Sequence, residues 1–367
     1  VDLLGMLWLL IVCSLAVNFT LTAQEGIAAQ LHLATPPVFS WLLVVPVSFS
    51  LSLIVHEAGH WLAGISQGQR CSRFLAWPLE WNWDEDRWRF RFTSHFRVGL
   101  VDLLPSSFAD FRQERILILL GGPLACFVAA ALLTAASLHA SDPVFFGFCS
   151  SMVMCLVLGI MQLVPFRMGS MQSDGYRLIQ ALLVGPAFDR TQRDLLSPAS
   201  HGTSLRPRDW PTDVIARLTV APDDAVMQRF TAYLAYVHFL DGGDPQSAAL
   251  HFHRFLEGWS PADAPEYALE AAYFLARHQQ DLPAAQSWLD REPRSTDPWV
   301  RLRAEAAVKL AVGRDHEARV LIEQALAALA ATPSCGAYEY EADLLGAMAP
   351  ATFSSDPATS TAKSSTD

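Results

Sequence analysis

Charge is scarce in this chain. Only 17% of its 367 residues are Asp, Glu, Lys or Arg, whereas a typical soluble domain carries about 25%. Hydrophobic residues make up 51%. A wholly soluble chain does not have this composition, so part of the sequence is expected to lie in lipid. Positive charge is in particular deficit: 26 Lys and Arg against 37 Asp and Glu leave a formal net charge of -11. That balance argues against a nucleic-acid partner, which needs a basic face. Cysteine is sparse and unpatterned. None of the 6 cysteines (Cys13, Cys71, Cys126, Cys149, Cys155 and Cys335) stands in a Cys-x-x-Cys pair, so neither a disulfide framework nor a zinc ribbon is indicated. Most lie in apolar runs and read as small buried residues. No basic residue precedes the apolar stretch 3–17, and further apolar runs follow it. It therefore reads as a membrane helix rather than a secretory signal.

What is present begins with four apolar runs, at 3–21, 38–62, 115–138 and 144–166. A helix needs about 20 apolar residues to cross a bilayer. The last two runs are joined by "HASDP", which suits an antiparallel helix pair. Pro46 falls inside the second, where lipid helices tolerate it if neighbours re-satisfy the backbone. Arginine sets the orientation. Arg70, Arg73, Arg87, Arg89, Arg91, Arg97 and Arg112 lie between the second and third runs, and Arg167 and Arg177 follow the fourth, while 22–37 and 139–143 hold no Lys or Arg. The positive-inside rule then places loop 63–114 and everything beyond 167 in the cytoplasm, with the chain integral to the cell membrane. Within that loop "RWRFRF" (87–92) alternates cation and aromatic with the period of a strand. "RCSRFLAW" (70–77) is its expected hairpin partner across "WNWDEDR".

From about residue 222 the sequence turns alanine-rich and helical. Three units each read as helix, polar turn, helix, with turns at Gly243-Asp244, Asp281-Leu282 and Gly313-Arg314. Their spacing is similar to that of tetratricopeptide-type hairpins, without the full repeat signature. The expected fold is thus mainly α: a polytopic bundle of about four membrane helices with a small β-hairpin region at 66–114, then a soluble domain of α-helical hairpin repeats. The boundaries are 1–185 for the membrane domain, 186–221 for a linker, 222–349 for the TPR-like helical domain and 350–367 for a disordered tail. The tail has too little apolar surface to offset chain entropy.

The second apolar run ends in His56-Glu57-Ala58-Gly59-His60. On a helix, residues i and i+4 share a face, so both imidazoles can reach one Zn²⁺. Glu57 is placed to take a proton from water without being a ligand. An ionisable side chain at the centre of a membrane helix costs roughly 2.5–3.5 kcal/mol on insertion scales. Three together call for a function. A catalytic zinc site needs a third protein ligand. Asp174, just after the fourth run and beside Gly175, is the candidate, and it also suits a helix N-cap. His95, Asp102 and Asp110 are its rivals.

These residues resemble the site-2 protease family of intramembrane zinc metalloproteases. The likeness rests on His-Glu-Ala-Gly-His on a membrane helix, Gly121-Gly122-Pro123 in the next core helix, and Pro165 followed by Asp174-Gly175. It covers about residues 40–180. It implies that His56, His60 and Asp174 ligate zinc, that Glu57 is the catalytic base, and that the substrates are transmembrane proteins cleaved within or near the bilayer. Gln162 stands where the family often has Asn, and its amide is a candidate contact for the substrate backbone. The Pro165-to-Asp174 gap is longer than in the best-known members, and no PDZ-like segment is recognisable. Gly121 and Gly122 are expected to permit close helix packing. Phe90, in the arginine–aromatic strand, is a candidate substrate contact by strand addition. The helical repeats would dock a protein regulator or the substrate's cytoplasmic part. The alternative function is a catalytically silent membrane adaptor that binds partners through those repeats.

Overall fold

In the computed structural model the described residues are 22, 41–84, 87–93, 99–139, 142–169, 171–220, 225–257, 267–290 and 297–349. The apolar run 3–21 and the tail 350–367 lie outside them. The other three runs form helices long and apolar enough to cross a membrane, at Leu43–Ser66, Phe111–Ser137 and Val144–Leu163. They belong to α1 (Trp41–Ser66), α2 (Phe111–Ser137) and α3 (Asp142–Leu163), and α1 continues through Pro46.

These three helices pack against one another. A Cβ on Gly59 would lie 2.3 Å from the Gly121 carbonyl oxygen, and one on Gly121 would lie 2.5 Å from that of Gly59. Neither residue has a side chain, so the backbones of α1 and α2 touch. The Ser151 hydroxyl donates to that of Ser48 at 3.1 Å and ties α3 to α1. α1 ends in a Schellman turn: Gly68 takes φ 75°, and the Gln69 amide donates to the Gly64 carbonyl at 3.0 Å.

The arginine-rich loop forms a four-stranded antiparallel sheet of β1 (Arg70–Ala76), β2 (Leu79–Asp84), β3 (Arg87–Phe92) and β4 (Gly99–Leu104), in the order β3-β2-β1-β4. The strand at 87–92 is as expected, but its partner is not 70–77. The chain reverses at Trp77-Pro78, whose peptide bond is cis. "LEWNWD" is therefore a strand rather than part of a turn, and it pairs with both neighbours. Its alternation explains why: Trp81 and Trp83 share a face with Phe90 and Trp88 of β3, while Glu80 on the other face is clasped by Arg73 and Arg91. The apolar face of β1 and β4 packs on the helices, with Cys71, Leu103, Phe74 and Val101 against Trp61 of α1 and Ile118 of α2.

After α3 the chain makes a small hairpin, β5 (Arg167–Met168) with β6 (Met171–Gln172), then α4 (Asp174–Leu183) and α5 (Pro186–Gly202). The described residues divide into two units between Thr203 and Ser204. That division falls inside 186–221, a segment that carries α5 and α6 (Thr212–Val220).

The second unit contains α7 (Ala225–Asp241), α8 (Pro245–Leu256), α9 (Ala268–Phe274), α10 (Leu282–Leu289), α11 (Pro298–Ala311), α12 (Asp315–Ala330) and α13 (Gly336–Met348). Helices α7 and α8, α9 and α10, and α11 and α12 pack as successive hairpins. Their turns repeat one chemistry. A left-handed residue ends the first helix: Gly243 at φ 77°, Gln280 at φ 55°, Gly313 at φ 74°. In the first two, an Asp then caps the next helix, Asp244 accepting from the Ser247 amide at 3.0 Å and Asp281 from that of Ala284 at 3.1 Å. The core holds Tyr236, Phe252, Phe255 and Phe274, together with a fully buried Arg303. Arg303 is paired with Glu270 and Glu341 and lies over the Tyr273 ring, 4.4 Å from its centre.

Candidate metal centre

His56 and His60 project from one face of α1, one turn apart, where α1 meets α2. Both are buried. Asp174, remote in sequence, is brought to them. Its Oδ2 lies 3.0 Å from His56 Nε2 and 3.1 Å from His60 Nε2, and the two Nε2 atoms are 3.1 Å apart. Among the described residues this is the one group of three His, Cys, Asp or Glu side chains whose ligand atoms converge in this way.

Three local features hold Asp174 there. Ser173, not Asp174, is the N-cap of α4: its hydroxyl accepts from the Tyr176 amide at 3.2 Å and donates to the Val164 carbonyl at 2.8 Å. Asp174 is thus free of capping and points at the imidazoles. The β5–β6 hairpin takes up the long interval after Pro165, turning at Gly169 with φ 58° and returning the chain to the end of α3. Gly175 then permits contact with that end, because a Cβ there would lie 2.0 Å from the Leu163 carbonyl oxygen. Gly175 thus serves close approach of α4 to α3.

The donor set fits a metal ion. His60 Nδ1 is 2.6 Å from the Ile118 carbonyl, which can only accept, so this nitrogen carries the proton. A neutral His60 then turns the Nε2 lone pair, not a proton, toward His56 and Asp174. Three lone-pair-bearing atoms within 3.1 Å of one another repel unless protons or a cation lie among them. A neutral His56 can place one Nε2 proton among them, and a second proton must charge a ring. Burial pushes the Asp174 carboxyl up, and its hydrogen bonds with His56 and His60 outweigh that and hold it well below the usual carboxylate range. A divalent cation does so at neutral pH without charging either ring. Two ligands at about 2.0–2.1 Å from a tetrahedral zinc stand about 3.3–3.4 Å apart, close to the separations found here. The Ile118 carbonyl is the outer partner that such a histidine characteristically has.

Glu57 lies beside this cluster, 7% exposed. Among the described residues no hydrogen bond engages its carboxylate. It rests against the first residue of β4: a Cβ on Gly99 would lie 2.0 Å from Glu57 Oε1. Gly122 has the matching role toward the two imidazoles, since a Cβ there would lie 2.4 Å from His60 Nε2 and 2.8 Å from His56 Cε1. The sequence reading of Gly121 and Gly122 as packing glycines therefore describes Gly121 but only half of Gly122, which also seats both imidazoles. Cys126 adds a further neighbour, its Sγ 3.6 Å from His56 Nδ1.

The other candidates are placed elsewhere. Phe90 sits on β3, at the sheet edge opposite β4, packed on Trp81 and Phe92. Gln162 is half-buried in the last turn of α3 and makes no hydrogen bond among the described residues. Asp102 is on β4 opposite Arg73, Asp110 precedes α2, and His95 lies outside the described residues. Gly99 is the site residue that sequence reasoning missed. Nothing in "VGLVDLL" announces it, because its importance is a long-range contact.

A helix long and apolar enough to cross a membrane thus carries a His-Glu-x-x-His pair that a distant carboxylate meets. In agreement, the sequence model of peptidase family M50, the site-2 protease family, matches residues 44–237, and the chain belongs to that family. Searches among curated proteins and among solved structures gave no match.

Proposed function

We propose that this protein is a zinc endopeptidase that hydrolyses peptide bonds in or near the transmembrane segments of other membrane proteins. The observation that carries the reading is the convergence of His56, His60 and Asp174 beside a Glu57 whose carboxylate is otherwise unbonded. His56 Nε2, His60 Nε2 and Asp174 Oδ2 would hold the ion. When bound, zinc supplies Lewis acidity toward a carbonyl and toward water. Glu57 takes the proton from the attacking water and returns it to the leaving amine. Ile118 keeps the His60 proton on Nδ1, so that Nε2 remains a ligand.

A helical substrate must unwind to expose an amide. Its extended segment adds to β4, which among the described residues pairs with β1 on one side only and whose first residue touches Glu57. This moves the expected strand addition from β3 to the other edge of the sheet. Loop 63–114 and the helical unit face the cytoplasm in this reading, and the repeats hold a regulator or the cytoplasmic part of a substrate.

The test is Glu57→Gln in native membranes, with zinc content and the set of membrane-protein fragments as readouts. Zinc stays at the wild-type level, fragments disappear and full-length substrates accumulate. An unchanged fragment pattern refutes the peptidase and leaves the adaptor.

A further inference from the structure

Two arginines beside the centre have no assigned purpose. Helices α2 and α4 lie side by side in opposite directions, and two tie points fix their register. Near the start of α2, Arg112 donates from Nε and Nη2 to the Ala181 and Leu182 carbonyls at the far end of α4, at 3.0 and 2.8 Å. Further along α2, the Ile118 carbonyl binds His60, whose Nε2 is 3.1 Å from Asp174 at the first position of α4. Between these ties α2 carries Arg115, three residues before Ile118, and α4 carries Arg177, three residues after Asp174. Each is therefore one helical turn from the centre and on the same side of it.

The two guanidinium groups are within electrostatic range of each other. Arg115 also senses Asp174, and Arg177 also senses Glu57. Both residues are half-buried. Among the described residues neither guanidinium makes a hydrogen bond or an ion pair. Other arginines in shielded positions are neutralised: Arg73 by Glu80, Arg206 by Asp241, Arg303 by Glu270 and Glu341. Asp174 and Glu57 do not supply the missing charge once the centre is loaded, because a divalent cation balances those two carboxylates. Two partly desolvated like charges then remain, each a planar fork of donors suited to a bidentate carboxylate.

We propose that Arg115 and Arg177 together bind a carboxylate of the peptide substrate, either an acidic side chain or a free chain terminus. One helical turn is about 5.4 Å, and an extended chain advances about 3.3 Å per residue. The recognised carboxylate therefore lies within about two or three residues of the bond that is cut. This inference rests on the peptidase reading and adds a substrate preference to it.

The experiment measures binding to zinc-loaded Glu57→Gln protein in phosphatidylcholine nanodiscs, where no turnover is needed. Three labelled peptides differ only in the group offered: a Glu side chain with an amidated terminus, Gln with an amidated terminus, and Gln with a free terminus. One of the two carboxylate peptides binds at least tenfold more tightly than the diamide, and which one identifies the source. Arg115→Gln and Arg177→Gln each reduce that ratio at least fivefold with zinc content unchanged. Arg115→Lys and Arg177→Lys keep the charge without the fork and give intermediate ratios, which covers the case of a Gln variant that does not fold. A ratio near one overturns the proposal. So does a ratio indifferent to both arginines, since the carboxylate is then on the metal. Loss of the ratio on adding anionic lipid also overturns it, since a headgroup is then the occupant. Wild-type cleavage is scored in parallel. Cleavage without the preference removes the carboxylate site alone, whereas an arginine-dependent preference without cleavage removes the peptidase reading alone.

Discussion

Replacing Gly99 by alanine tests the architecture of the site without touching any proposed ligand. The new Cβ would lie 2.0 Å from Glu57 Oε1, 2.7 Å from its Cδ and 3.0 Å from its Cγ. An ordinary contact is about 3.5 Å, so the carboxylate must retreat by about 1.5 Å. The obstructing atoms are the mobile end of a side chain, so the fold loses little. The base, however, leaves its position. A misplacement of about 1 Å costs about 10²-fold, and a general base contributes about 10²–10⁴-fold. Cleavage by Gly99→Ala should therefore fall about 10²–10³-fold, equivalent to roughly 2.7–4 kcal/mol. Zinc stoichiometry should stay at the wild-type value, because the three nearest atoms to the added carbon all belong to Glu57. The assay follows a single-span substrate in nanodiscs by gel, with metal analysis on the same preparation. Full-rate cleavage by a folded variant refutes the placement of the base. Loss of zinc in step with activity refutes the separation of β4 from the ligands.

Three further substitutions probe the neighbouring parts. Gly122→Ala brings a carbon to 2.4 Å from His60 Nε2, so zinc is lost together with activity, the opposite pattern to Gly99→Ala; metal analysis of the purified variant decides it. Ser173→Ala removes both the cap of α4 and its clasp on Val164. It should lower stability by about 1–2 kcal/mol and zinc affinity by about 10–100-fold, as read by thermal unfolding and chelator competition. Arg303→Met leaves Glu270 and Glu341 buried without their cation. The helical unit should lose about 3–5 kcal/mol in urea unfolding, while zinc content stays unchanged.

The residues that meet at the candidate metal centre were legible because each rests on a local or compositional signal. The i, i+4 spacing of His56 and His60 on an apolar helix puts two imidazoles on one face, and charge at that depth is costly enough to imply a function. Asp174 was harder, since a carboxylate at a helix start has an adequate local explanation as a cap. The neighbouring Ser173 resolves it by doing the capping, which leaves the aspartate for the imidazoles. The long interval after Pro165 likewise had no readable length scale until Gly169 and the β5–β6 pairing closed it into a hairpin.

The sheet shows where such reading stops. Alternation in "RWRFRF" identified a strand correctly, because a pleated backbone with unlike faces must alternate. Alternation carries no information about which edge of a sheet meets a distant helix. That choice was made by the reversal at Trp77-Pro78, which turned a presumed loop into β2 and pushed β3 outward. The place beside α1 was left to β4, whose "GLVDLL" has no striking pattern because much of it is covered by β1 and the helices. The same holds for Gly59, Gly99, Gly121, Gly122 and Gly175. Each is defined by an atom it must not displace, and in all five that atom is contributed by another structural element. A residue whose role is to leave room has no signature in its own stretch of chain, so the position of the Glu57 carboxylate is fixed by an absence that only the folded contact reveals.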